Sequence, residues 1–407
     1  MRDNSIAKSL AILGPSIISR PLAMDVLLPC VPAIALTMNA SAGLTQWVLS
    51  IYFIASGVGQ LFLGPLTDKY GRRIVLLFST LILTFSSLSC AFVDNIYALI
   101  LLRFIQGLGG FGASVVTMAI VRDIFDDQTT PKVYSYCNAI IALAPTCGPL
   151  LGSNLLLLTG DWRTIFYFVS FFCFVSLTLN YFFVTETRPF ASNEALQRFS
   201  VLANYKKLLT DKLYLVYCLY GIVSVSSLFI FYSSSGLLLI DGVGLSPHIY
   251  AYYFALYAAV YLLGNILSPK IQQIVGMNGT ILYGSISVFA GGIIMLLVYY
   301  FFGLNPLGLV LPNLLVTLGV GFMFGPCTAG AINRYKNIAG IASACFAFFA
   351  YGGSGLLVGV MMHLWQVNAV ILGVYILSVG LLSIFCALKY LLPMAIVTES
   401  TITSAID

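Results

Sequence analysis

The chain is short of charge. Of its 407 residues 14 are acidic and two are histidine, and charged residues make up 8%, against about 25% in a soluble domain. So few charges cannot cover a water-facing surface, which excludes soluble enzymes, nucleic-acid-binding proteins and secreted scaffolds. The nine cysteines include no C-x-x-C pair, and His248 and His363 alone could complete a site. The case for a metal centre is therefore weak, and no cofactor is expected. No G-x-x-x-x-G-K-[ST] loop occurs, nor a soluble segment to hold one, which argues against an ATP-driven pump. A membrane-embedded enzyme would need clustered acids or histidines, and Asp25 is the one acid well inside an apolar segment.

What is abundant is apolar: 60% of the residues. Segments of about 20 mostly apolar residues, enough to cross a bilayer as helices, fall near 9–38, 46–66, 74–93, 97–120, 133–158, 163–185, 213–240, 249–269, 277–302, 306–332, 338–362 and 367–392. The expected fold is an all-α membrane protein with twelve transmembrane helices. Of 19 Lys and Arg, Arg20 and Arg103 lie inside spans and Arg163 lies on one face, while the rest fall on the other. The positive-inside rule then places both termini in the cytoplasm, and makes lipid headgroups, not nucleic acid, the neighbours of the basic residues. The longest polar stretch, Glu186 to Lys212, is too short for a domain and divides the chain into six spans and six. The expected plan is an N-terminal six-helix bundle over 1–188, a cytoplasmic linker over 189–212 and a C-terminal six-helix bundle over 213–407, rocking about a midplane site.

The loop after the second span reads Gly64-Pro-Leu-Thr-Asp68-Lys69-Tyr-Gly71-Arg72-Arg73. Gly71 permits a tight turn, and Asp68 can accept from a helix N-terminus or from the arginines. Spacing alone leaves open whether this is a clasp between helices or a solvated topogenic cluster. The loop resembles the cytoplasmic signature of the major facilitator superfamily, G-x-L-x-D-x-x-G-R-[RK], at every fixed position. Leu102-Arg103-Phe-Ile-Gln106-Gly107 is similar to the superfamily's R-x-x-Q-G element. Ala144-Pro145-Thr-Cys-Gly148-Pro149-Leu-Leu-Gly152 resembles the motif of its antiporters, and Thr185-Glu186-Thr187-Arg188-Pro189 its sixth-span exit. Within the superfamily, Met24-Asp25-Val-Leu-Leu-Pro29-Cys-Val-Pro32 and Ala339-Gly340-Ile341-Ala342-Ser343-Ala344 resemble the bicyclomycin/chloramphenicol-resistance group of drug:proton antiporters.

The resemblance implies a multi-pass protein of the bacterial inner membrane, not an enzyme, working as a monomer on protons and a small-molecule substrate. Its function would be multidrug or small-molecule:proton antiport by alternating access. It assigns proton coupling to Asp25, tuned by Arg103, and conformational gating to Gly64, Asp68, Gly71, Arg72, Arg73, Gly148, Pro149 and Gly152.

The residues themselves add a complication. An ionisable side chain at mid-helix costs about 2.5–3.5 kcal/mol and usually has a functional reason. Pro21, Pro29 and Pro32 loosen the helix around Asp25 and can open it to a cavity. A carboxylate there could trade a proton, or sit locked in a static ion pair with an arginine. Arg103 stays charged and can anchor an anion or bond helix backbones, with Gln106 one turn on. Arg20 departs from the related group, which is apolar here. It lies about 140° round a regular helix from Asp25, and either snorkels to a surface or faces the substrate. In the second case an anionic metabolite, such as a polycarboxylate siderophore, would suit the site better than a cation, moving in or out; an uncoupled facilitator is a further alternative. Tyr253, Tyr257, Tyr261 and Asn265 form a polar-tipped stripe that either lines the cavity or packs, and Asn138 and Ser233–Ser235 are weaker candidates. Gly148/Gly152, Gly321/Gly325 and Gly355/Gly359 have the spacing of close helix contacts, and the cysteines read as buried packing residues.

Overall fold

The computed structural model describes residues 5–126, 128–187, 198–365, 368–391 and 393, with the helix backbone alone described at 64, 65, 68, 131, 198–202 and 336. The described residues are helical throughout, as expected. The first apolar segment is α1 (Ile6–Asp25) and α2 (Val31–Thr37), separated by a 3-10 turn at Leu28–Cys30. There follow α3 (Ala42–Tyr70), α4 (Arg72–Cys90), α5 (Ile96–Ile124), α6 (Thr130–Thr159) and α7 (Arg163–Phe183). A 13-residue helix, α8 (Arg198–Thr210), occupies most of the stretch read as a plain linker; residues 189–197 of that linker lie outside the description. The rest is α9 (Lys212–Ser235), α10 (Pro247–Phe302), α11 (Pro306–Asn333), α12 (Ala339–Ala347), α13 (Ser354–Leu364) and α14 (Ala369–Cys386). Three π-helical turns interrupt this part: Gly236–Gly242 after α9, Phe348–Gly353 between α12 and α13, and Ala387–Leu391 after α14.

Among the described residues, eleven stretches are long and apolar enough to cross a bilayer. One of them, α10, has 56 residues, about 84 Å of helix against a hydrocarbon core of about 30 Å. Its backbone leaves the helical region at Gly276 (φ 72°, ψ 173°). Divided there, it supplies two spans and brings the number to the twelve expected.

Helix starts follow local chemistry. Side chains of Ser41, Asn95, Ser246, Asn305 and Asn368 accept from the backbone N–H of Leu44, Tyr97, Ile249, Gly308 and Ile371, each worth about 1 kcal/mol. Helix-interior prolines free carbonyls four residues earlier, which lipid cannot satisfy. Pro326 leaves the Phe322 carbonyl free, and Ser268 on α10 donates to it at 3.0 Å. Pro65 does the same for Leu61, whose carbonyl takes the Tyr205 hydroxyl of α8 at 3.4 Å.

α1 packs on α5, α6 and α7, and α5 is sandwiched by α3 and α4. Later in the chain α10 packs on α11 and α14, and α9 on α11 and α13. Early helices meet late ones chiefly at α3, against α12, the π turn and α13, and at α6, against α10. The outer surface carries large apolar side chains such as Phe62, Phe78, Phe171 and Phe182. Of the small-residue pairs, Gly355 and Gly359 both meet Ser50 on α3, and Gly321 meets Gly264; Gly325 has nothing near it, so it serves no close contact. Eight cysteines are buried as expected, but Cys147 is exposed.

Candidate functional site

The site begins with a fault in the first span. Pro29 has no N–H to give the Asp25 carbonyl, and Leu27 N–H turns to the Met24 carbonyl at 3.2 Å, leaving the Ala23 carbonyl without its helical donor. Arg103 Nη1 on α5 donates to that oxygen at 3.2 Å, and Nε donates to the Val48 carbonyl of α3 at 3.0 Å. Nη1 also bonds Gln106 Oε1, Nη2 reaches Met24 Sδ at 3.5 Å, and the guanidinium lies 4.4 Å from the Tyr52 ring centroid. Gln106 Nε2 in turn donates to Ser87 Oγ on α4 at 2.6 Å. Both side chains are fully buried. Arg103 and Gln106 therefore hold the broken backbone beside Asp25, and in this conformation neither presents a group to a substrate.

Asp25 itself is 4% exposed. Among the described residues no arginine comes within 4.0 Å of its carboxylate, so the static ion pair left open by the sequence does not form. Arg20, Tyr232 and Tyr250 surround it at electrostatic range, and Tyr250 shares a 3.0 Å hydrogen bond with Ser235. On the other side lies α6. A Cβ on Gly148 would fall 2.7 Å from Asp25 Cβ, and one on Gly152 would strike the Val26 carbonyl and Pro29. Pro149 is buried between them.

Arg20 does not snorkel. Its guanidinium lies 5.1 Å from the Phe111 ring centroid of α5 and 5.4 Å from that of Tyr351 in the π turn. Nε is buried without a partner. Of the tyrosine stripe, Tyr257 is buried and stacked on Phe231 at 5.0 Å, with Tyr232 at 5.5 Å. Tyr253 and Tyr261 are partly exposed, and Tyr261 is within electrostatic range of Tyr351. Asn265 turns back to its own helix, donating to the Tyr261 carbonyl at 2.8 Å. Ser233 and Ser234 bond carbonyls of α9 itself, while the Ser233 carbonyl accepts Gln46 Nε2 of α3 at 2.7 Å. Asn138 is exposed on α6, ten residues or about 15 Å of helix before Gly148, and does not join the group. Tyr232, Tyr351 and Phe111 were not foreseen. Tyr351 occupies a π turn, where helical spacing gives no guide.

At the turn between α3 and α4, Gly71 adopts φ 88°, which a side chain would strain. Glu186 beyond α7 caps α4: it accepts from the N–H of Arg72 at 2.9 Å and of Arg73 at 3.1 Å. Arg72 Nη1 bonds Thr67 at 2.7 Å and Nε bonds Asp123 of α5 at 3.2 Å, and Arg73 Nη2 donates to the Tyr181 carbonyl at 2.8 Å. The arginines thus join the ends of four helices. Gly64 and the side chain of Asp68 lie outside what is described beyond the helix backbone.

Residues 13–359 match the sequence profile described as Major Facilitator Superfamily. The chain belongs to that superfamily. It is a multi-pass membrane transporter. A chloramphenicol resistance protein of Pseudomonas aeruginosa is 28% identical over 86% of this chain and 82% of its own length. The multidrug resistance protein MdtL of Escherichia coli O139:H28 is 28% identical over 91% of both chains. Among solved structures of the superfamily's fold, a point mutant of the nucleoside transporter NupG superposes with a TM-score of 0.75 at 14% identity, covering 94% of this chain and 99% of that one.

Proposed function

We propose that the protein is a proton-coupled antiporter that exports hydrophobic small molecules, drugs included, across the bacterial cytoplasmic membrane. It works as a monomer by alternating access. Two six-helix bundles, over 1–188 and 213–407, rock about the region of Asp25, with 189–212 as linker and both termini in the cytoplasm. The observation that carries the reading is Asp25: a carboxylate buried at a break in the first span, in no ion pair with a described residue, between α6 glycines and tyrosines of α9 and α10. The printed names of the chloramphenicol and multidrug resistance relatives support the substrate class.

In this mechanism Asp25 takes up a proton from one side and releases it to the other, and substrate and proton alternate on it. Arg103 keeps the backbone break open, so that the carboxylate stays at the junction. The α6 contact at Gly148, Pro149 and Gly152 slides as the bundles rock. Gly64, Asp68, Gly71, Arg72 and Arg73 set the conformational balance from the cytoplasmic side. One acid gives one proton per cycle at most.

The test uses proteoliposomes with an imposed pH gradient and a panel of neutral and cationic drugs. Drug addition should release protons through the wild type, and Asp25→Asn should abolish the proton flux while leaving drug exchange without a gradient. Undiminished proton flux through Asp25→Asn, or two protons per drug, would refute the assignment, and drug movement indifferent to the gradient would mean an uncoupled facilitator. A second reading, carriage of an anionic metabolite, has one observation in its favour: the cation Arg20 beside Asp25.

A further inference from the structure

The two membrane-embedded arginines are treated very differently by the fold. Arg103 has its guanidinium engaged by carbonyls, an amide oxygen, a thioether and a ring. The guanidinium of Arg20 makes no hydrogen bond or ion pair with any described residue. The ring faces of Phe111 and Tyr351 meet it. Such faces stabilise the positive charge but satisfy none of the five N–H donors, which in a planar fork match a carboxylate. The rings belong to α5 and to the π turn, so the donors lie where early and late parts of the chain meet. The aromatic wall continues, since Phe53 stands 6.2 Å from Tyr351 and 4.2 Å from Phe229 by ring centroids. Arg20 as a whole remains partly exposed.

We propose that Arg20 is a specificity-determining contact for the transported molecule: it receives a carboxylate or similar planar oxyanion, while a flat apolar body meets the partly exposed rings of Phe53 and Tyr351. This deepens the second reading, carriage of an anionic metabolite, and rests on it; it concerns binding and not proton flux. Ionised Asp25 competes with such a ligand for Arg20 electrostatically, and protonated Asp25 does not. Anion and proton would then bind together, in place of the alternation on Asp25 that drug antiport requires, whereas a cation would exclude the proton.

The experiment measures equilibrium binding of 2-naphthoate, 2-naphthamide and 2-naphthylmethylammonium to the full chain in lipid nanodiscs, without a gradient. Naphthoate should bind in preference to the other two. Arg20→Gln should weaken it by about tenfold or more, the loss of a charge-assisted contact, and change the amide little. Arg20→Lys, which keeps the charge without the fork, should retain an intermediate affinity and covers the case in which Arg20→Gln fails to fold. Asp25→Asn should strengthen naphthoate binding or leave it unchanged. The proposal is overturned by a preference for the ammonium probe, by equal effects on all three probes, by loss of naphthoate binding in Asp25→Asn, or by no saturable naphthoate binding. Because no proton is counted, these outcomes are separate from failure of the coupling role of Asp25.

Discussion

Gly148 lies against Asp25 so closely that a Cβ on the glycine would fall 2.7 Å from the aspartate's own. The helix that carries the antiporter-type motif is therefore in direct contact with the one acid buried in the first span. Adding a methyl at Gly148 must displace either α6 or the broken segment, a strain of about 1–3 kcal/mol in a packed interior. Gly148→Ala should abolish transport in proteoliposomes, whereas Gly325→Ala, with open space around it, should transport at the wild-type rate.

Arg103 satisfies the Ala23 carbonyl released by the break and the Val48 carbonyl at once. A lysine offers one ammonium in place of the fork and cannot reach the same set of acceptors. Arg103→Lys should lower thermal stability by about 3 kcal/mol, two charge-assisted bonds or so. It should also abolish transport, seen as a fall in melting temperature in detergent together with lost uptake. A normal melting temperature would argue that the break does not depend on this side chain.

Glu186 closes the N-terminus of α4 from the far end of α7. Both charge and hydrogen bonding favour an anion there. Glu186→Ala should cost about 1 kcal/mol, with Glu186→Gln intermediate, as read by thermal melting.

Asp211 caps α9 through Leu213 N–H and accepts from Arg334 and from the Tyr335 hydroxyl at 2.7 Å. Burial alone would raise its carboxyl, but the Tyr335 and Arg334 hydrogen bonds outweigh burial and hold it below the ordinary carboxylate range. A depressed folded value contributes stability that is present above about pH 4, the unfolded value, and is lost as pH falls through the lower folded one. Asp211→Asn, which keeps the cap, should therefore melt below the wild type at pH 7 by about 1 kcal/mol, since the pair is partly solvated. The gap should close as the pH is taken below 4.

The spans were legible because nothing but membrane helices needs so many uninterrupted apolar residues. The long α10 reads as two spans, 249–269 and 277–302, and its backbone leaves the helical region between them, at Gly276. The clasp was half legible. Gly71, Arg72 and Arg73 stand in a readable motif, but Glu186 is more than a hundred residues away and its role depends on the α7 exit returning to α4. Arg103 was readable as an embedded charge, but its acceptors were not, because they are backbone carbonyls on two other helices, one of them freed where the first span breaks. For the tyrosine stripe, even spacing puts residues on one face but does not tell lining from packing: Tyr257 packs in the interior and Asn265 bonds its own helix. Tyr351 escaped for a different reason, since its turn does not have the period on which such spacing rests.

That turn has a consequence for how the chain tolerates change. Phe348–Gly353 winds more loosely than an α-helix, and a π turn holds about one residue beyond a regular one. Deleting a single residue from it would let α12 and α13 fuse into one ordinary helix, with no loss of backbone hydrogen bonding. Because the extra residue is taken up inside the turn, the helix beyond it would keep its phase, with Gly355 and Gly359 still against Ser50 on α3, while the bulge that carries Tyr351 to Arg20 would be lost. The loose winding sets the aromatic contact without disturbing the glycine contact on the next two turns, and a shortening that regularises the helix would remove the first and spare the second.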